Sequence, residues 1–160
     1  MGEIYISEYY PFHDVNESNK YYKKAFKLLE KKANSSNAAC YEIAKMYEFG
    51  RYVEKDEEKA KEYYKLAADK GYADAAYRMG LYLKSNLDYV DARAYFLKAA
   101  EKQHGDAMYE LAKMYQYGHG GAENINDAKK WYLECSKNTE NRFQKAANNA
   151  KKELKKLKTL

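Results

Sequence analysis

The chain has 160 residues with a net charge of +5, one proline, eight glycines and nineteen tyrosines. That is one domain's worth of sequence, enough to bury a continuous core, and its low proline and glycine content favours long helices over a β-rich fold. No apolar run approaches the roughly 20 residues of a membrane-spanning helix. The start, Met1-Gly2-Glu3-Ile4, lacks the basic flank and apolar core of a signal peptide, and Ile6 stands where a myristoylation motif wants Ser or Thr.

The charge is local. Lys145, Lys151, Lys152, Lys155, Lys156 and Lys158 face a single acid, Glu153, in residues 145–160, and this accounts for the whole excess. The remainder is close to neutral, which argues against a distributed phosphate-binding face and hence against nucleic acid as the partner. The basic tail is expected to be a solvated helix face.

In chain order, residues 1–13 form an aromatic arm (Ile4-Tyr5-Ile6, Tyr9-Tyr10-Pro11-Phe12) in which Pro11 stops any helix. The arm is expected to cover the first hairpin. It also offers a route to a dimer, although a monomer is expected. Residues 14–37 turn helical, with Ala25, Leu28, Leu29 and Ala33 at helical spacing, and read as a half repeat that caps the array.

Residues 38–74 contain the organising unit. Ala39 to Phe49 predicts a helix over about 38–49 that Gly50 ends in the left-handed conformation. Asp56 then caps a second helix, with Glu57 and Glu58 at the positive end of its dipole. Laid on itself, the chain aligns Ala39, Tyr41, Ile43 and Ala44 with Ala75, Tyr77, Met79 and Gly80, and again with Ala107, Tyr109, Leu111 and Ala112. Ala60 aligns with Ala92 and Ala128, Tyr63-Tyr64 with Tyr95-Phe96 and Trp131-Tyr132, and Ala67-Ala68 with Ala99-Ala100 and Cys135-Ser136. Such a register marks a repeat array, with copies at 38–74, 75–106 and 107–142. The small residues are read as close helix approaches and the aromatics as packing. The second copy is the shortest, so its interhelix turn is expected to be tighter. Residues 143–160 read as an amphipathic closing helix with Phe143, Ala147, Ala150, Leu154 and Leu157 on its apolar face.

The letters of the first copy, including Tyr47, Gly50, Val53, Asp56, Lys59 and Gly71, and of the third, including Tyr115, Gly118, Gly120 and Trp131-Tyr132, resemble the Sel1-like repeat (SLR) family over about residues 20–145. That family is related to the tetratricopeptide repeats. The resemblance implies an all-α fold, a right-handed α/α superhelical solenoid of helix-turn-helix repeats with capping helices at both ends. Some secreted relatives join the two helices of each copy by a disulfide. Here Cys40 meets Ala68 at the partner position, and Cys135 lies two repeats away, beyond disulfide reach. Both are expected to be reduced, in a cytoplasmic setting.

No catalytic constellation stands out. His13, His104 and His119 are scattered, without metal-ligand spacing, and Gly118-His119-Gly120-Gly121 lacks the lysine and the preceding strand of a phosphate loop. The S-x-x-K string of serine β-lactam chemistry, an activity once ascribed to relatives, does not occur. No enzyme, cofactor or metal is expected. By analogy with tetratricopeptide grooves, the resemblance implies a concave binding face on the first helix of each copy. The residues are Glu42, Lys45, Glu48 and Phe49, then Arg78, Leu81, Lys84 and Ser85, then Glu110, Lys113, Gln116 and Tyr117. The face is mixed in sign, with Phe49 and Tyr117 as aromatic anchors, and fits a peptide or helix bearing charges of both signs. Two roles follow: an adaptor or scaffold for a protein partner, or a small dedicated inhibitor or immunity protein that caps a folded effector.

Overall fold

The computed structural model describes residues 15–157. The aromatic arm, His13, Asp14 and the last residues Lys158, Thr159 and Leu160 lie outside them. Among the described residues there are eight α-helices and no strand, divided between two compact units that meet at Lys70 and Gly71.

The first unit contains α1 (Val15–Lys32), α2 (Asn37–Phe49) and α3 (Glu57–Asp69). Tyr22 and Phe26, one turn apart on α1, bury against Ile43 and Met46 of α2, with Leu29, Ala33, Tyr47, Val53 and Tyr63 around them. The Ser36 hydroxyl caps α2 by accepting from the Ala39 N–H at 3.2 Å. Gly50 ends α2 at φ +64°, a conformation that costs a side chain about 1 kcal/mol and glycine almost nothing. Asp56 then caps α3, accepting from the Lys59 N–H at 2.9 Å, and this bond is the main reason its carboxyl is held below the usual carboxylate range. The far end of α3 is tied back as well: the Lys70 ammonium donates to the Ala33 and Asn34 carbonyls, each at 3.0 Å.

The second unit contains α4 (Ala73–Ser85), α5 (Tyr89–Glu101), α6 (Gly105–Gln116), α7 (Ile125–Lys137), a 3-10 turn (Asn141–Phe143) and α8 (Gln144–Lys156). Helices α4 and α5 form one hairpin, α6 and α7 the next, and α8 packs on α7 and α6. The expected shortening of the second copy is observed: residues 86–88 make its whole interhelix turn and place Leu87, exposed, at φ +65°. A bulky residue there is strained. In the third copy the loop folds back on α5. The His119 ring stacks on Tyr89 at 4.7 Å, and Gly120 lies so close to the Tyr89 carbonyl that a Cβ would collide with it.

The recurring small residues sit where helices touch. Ala44, Ala60, Ala92, Ala112 and Ala128 are fully buried, and a Cβ on Gly80 would fall 2.7 Å from the Phe96 ring. The aromatic pairs divide their work: Tyr64, Phe96 and Tyr132 are fully buried, whereas Tyr63, Tyr95 and Trp131 are half-buried. On α8, Ala146, Ala147, Ala150 and the following Leu157 face inward, Leu154 is half-buried, and Lys145, Lys151, Lys152 and Lys155 face outward.

One joint fastens three starts together in the second unit. His104, buried, caps α6 by accepting the Ala107 N–H at Nδ1 (3.2 Å), which leaves Nε2 to donate to Asp74 of α4 at 3.2 Å. Arg142 donates to the same Asp74 oxygen at 2.8 Å and lies over the Phe143 ring. The imidazole is held between Tyr77 (4.6 Å) and Phe143 (4.5 Å). The His104 hydrogen bond, with the Arg142 charge adding to it, depresses the Asp74 carboxyl, while burial raises that of Asp106 beside it.

Candidate interaction surface

The first helices of the three copies, α2, α4 and α6, carry the residues expected to form the binding face. Two of these residues also bridge to the second helix of their own hairpin. The Tyr64 hydroxyl of α3 donates to the Glu48 carboxylate at 2.6 Å, and the Tyr132 hydroxyl of α7 donates to Gln116 at 2.8 Å. The middle copy has Phe96 at that position, without a hydroxyl, and Lys84 where the others carry Glu48 and Gln116. Lys84 instead reaches Glu110 on α6 at 2.5 Å. Ring packing recurs around these bridges: Tyr41 on Tyr64 at 5.5 Å, Tyr77 on Phe96 at 5.9 Å, Tyr109 on Tyr132 at 5.7 Å. Burial raises the pKa of Tyr77 to about 12 and pushes that of Tyr132 up further, so both stay neutral phenols.

On α2 and α6 the charged positions pair along the helix. Lys45 meets Glu42 at 3.1 Å and lies over the Tyr41 ring. Two copies on, Lys113 meets Glu110 at 3.7 Å and lies over Tyr109. In the second unit Glu110 therefore takes lysines from two helices. Arg78 and Leu81, on α4, are half-buried. Ser85 is exposed and donates to the Tyr82 carbonyl at 2.7 Å.

The two aromatic positions stand apart from the core. Phe49 is 51% exposed, with the Arg51 guanidinium over its ring at 5.1 Å, and Tyr117 is 57% exposed. In the second unit α8 brings a further pair to this face: Lys156, which bonds Glu153 at 2.7 Å, lies within electrostatic reach of the Tyr109 and Tyr117 hydroxyls. Sequence reasoning assigned those α8 residues to a solvated tail. The available signal was the Glu153–Lys156 spacing, which sets an acid and a base on one side of a helix.

The remaining chemistry-bearing residues are taken up by packing. His119 stacks on Tyr89, and the Arg93 guanidinium lies over the Tyr115 ring at 4.6 Å and against Gly121 of the glycine-rich loop. Cys40 and Cys135 are both buried, free thiols, donating to the Ala33 and Gly105 carbonyls at 3.0 and 3.3 Å. Burial pushes the Cys135 thiol up to about 12, which suppresses the nucleophilic thiolate. Among the described residues no group of three His, Cys, Asp or Glu side chains is placed to hold a metal ion, and no helix is long and apolar enough to cross a membrane.

Comparisons with known proteins agree with this architecture. A Sel1 repeat protein from Oxalobacter formigenes superposes with a TM-score of 0.67 at 23% identity, over 76% of this chain and 95% of that one. A protective antigen present in uropathogenic Escherichia coli strains and displaying an SLR fold superposes at 0.66 and 24% identity. That match covers 96% of this chain but only 32% of the antigen. These likenesses establish the fold class, an all-α repeat solenoid. A search of curated proteins finds no match. The family model of the Sel1 repeat matches four times, at residues 9–35, 37–72, 73–104 and 105–134, and the chain belongs to the Sel1 repeat family.

Proposed function

We propose that the chain is a non-enzymatic adaptor or scaffold that holds a peptide or helix of a protein partner against its first-helix faces, that of α2 in the first unit or that of α4 and α6 in the second. Sel1 repeat proteins are generally protein-interaction modules, which supports the class. The observation that carries the reading is the pair Phe49 and Tyr117. Both occupy one position of the repeat, the end of the first helix, and both are more than half exposed while the other recurring aromatics are buried or half-buried. Exposed rings ringed by charge are the usual anchors of interfaces. A reducing, cytoplasmic setting is supported by the two buried free thiols.

The test is photo-crosslinking in native lysate, with a crosslinking residue placed at Phe49, at Tyr117 or, as a control on the second helix of a hairpin, at exposed Leu133. Adducts to one partner from the first two positions and none from the third are expected. Adducts from Leu133 alone would overturn the placement. A folded enzyme recovered as the partner, none of whose isolated peptides bind, would turn the reading from adaptor to dedicated inhibitor.

A further inference from the structure

The two units display opposite charges on their first-helix faces, although the sequence distributes both signs over each. In the second unit the carboxylates are recessed. Glu110 is 17% exposed beneath Lys84 (30%) and Lys113 (36%), and Glu153 is 18% exposed beneath Lys156 (70%). In the first unit the order reverses: Lys45 is 18% exposed and its partner Glu42 45%. Recessed carboxylates hold the ammonium groups in place, and the ammonium groups are what an approaching ligand meets first.

We propose, resting on the interaction-module reading above, that the face built by α4, α6 and α8 takes an acidic segment of the partner, its carboxylates on Lys84, Lys113 and Lys156 and an apolar side chain on Tyr117. Charge complementarity selects this occupant. Three ammonium groups set over two more deeply recessed carboxylates favour an acidic segment by Coulomb attraction, and a basic segment meets like charge, which costs affinity and association rate. Tyr117, exposed at the end of α6, supplies the surface on which an apolar residue loses water.

Fluorescence anisotropy on the full chain tests this with three labelled peptides, acetylated and amidated so that no terminus contributes. One alternates Glu with Leu and Phe, the second replaces every Glu by Lys, and the third replaces every Leu and Phe by Ser. The acidic apolar peptide is expected to bind about tenfold or more tightly than either of the others, with affinity falling as salt rises. Lys84→Gln with Lys113→Gln should abolish the preference for acid. Tyr117→Ala should lose the preference for the apolar peptide over the serine one. Lys151→Gln with Lys152→Gln, on the outward side of α8, removes the same two charges as a control and should leave both preferences intact. Equal binding of the acidic and basic peptides, or equal loss in the Lys151/Lys152 control, overturns the proposal. Retained crosslinks from Tyr117 to a partner alongside no acidic preference would sink this assignment of charge and leave the interaction-module reading standing.

Discussion

The phenol of Tyr132 is a neutral donor sunk beneath α6, and its one visible acceptor is the Gln116 side chain at 2.8 Å. Tyr132→Phe removes that donor and leaves the ring in place, as Phe96 already does one copy earlier. The expected loss is about 1 kcal/mol, read as a fall of a few degrees in Tm. Gln116→Ala should cost a similar amount, and the double variant should cost less than the two singles together, because the two groups share one bond. Full additivity would detach Gln116 from the hairpin and return it wholly to the binding face. Asp74 makes a pH-dependent contribution. Its carboxyl is depressed in the fold by His104 and Arg142, so the stability it supplies is present above its unfolded value of about 4 and is lost as pH falls through the lower folded value. Asp74→Asn should therefore lower Tm at neutral pH, and the gap to the parent should close below about pH 4. A gap that is constant from pH 7 to pH 3 would show that the carboxylate charge contributes nothing to the joint.

Among the elements, the hairpins were the most legible in the sequence and the joints between them the least. Ala44, Gly80 and Ala112 recur because two backbones must approach, and Gly50 and Asp56 announce a helix end and a helix start by local rules, so both signals are written within one copy. The His104 joint is assembled from Asp74, His104, Arg142 and Phe143, which come from different copies, and nothing in the spacing of three scattered histidines points to it. The docking of α8 was hidden for the same reason: which side of an amphipathic helix meets α6 depends on packing, not on composition. Gly105 is a further case, since a Cβ there would lie 2.5 Å from the Phe143 Cβ, a constraint visible only once the closing turn is docked. Gly105→Ala is expected to push the turn off α6 and cost about 1–3 kcal/mol. Gly80→Val should do at least as much damage, against Phe96. Unchanged denaturation midpoints for both would contradict the close approaches described here.

Across the whole molecule, the interior is sealed against solvent chemistry while the candidate anchors remain outside it. Both cysteines of the chain are fully buried. A disulfide-exchange reagent should therefore find no reactive thiol in the native protein and two in denaturant, with labelling that tracks unfolding. Rapid native labelling of either would mean that its unit opens locally. Phe49→Ala with Tyr117→Ala, by contrast, should leave Tm within about 2 °C, as for surface substitutions in general. A fall of about ten degrees would place those rings in the core and remove them from any binding role.

The Tyr64–Glu48 bond also dictates how copies of this repeat can be exchanged. Its donor and acceptor lie on the two helices of one hairpin, and the middle copy has neither. A chimera spliced inside a hairpin, α2 joined to α5, would seat Glu48 over Phe96 and leave a half-buried carboxylate facing a hydrocarbon ring. The reverse splice, α4 joined to α3, would hold Lys84 against a phenol. A crossover at 72/73, between hairpins, keeps each of these couples together, whereas one at 104/105 parts Lys84 from Glu110 and His104 from the helix it caps. The first hairpin is an interchangeable part of this chain, and the second and third exchange only as a pair with the closing turn they share.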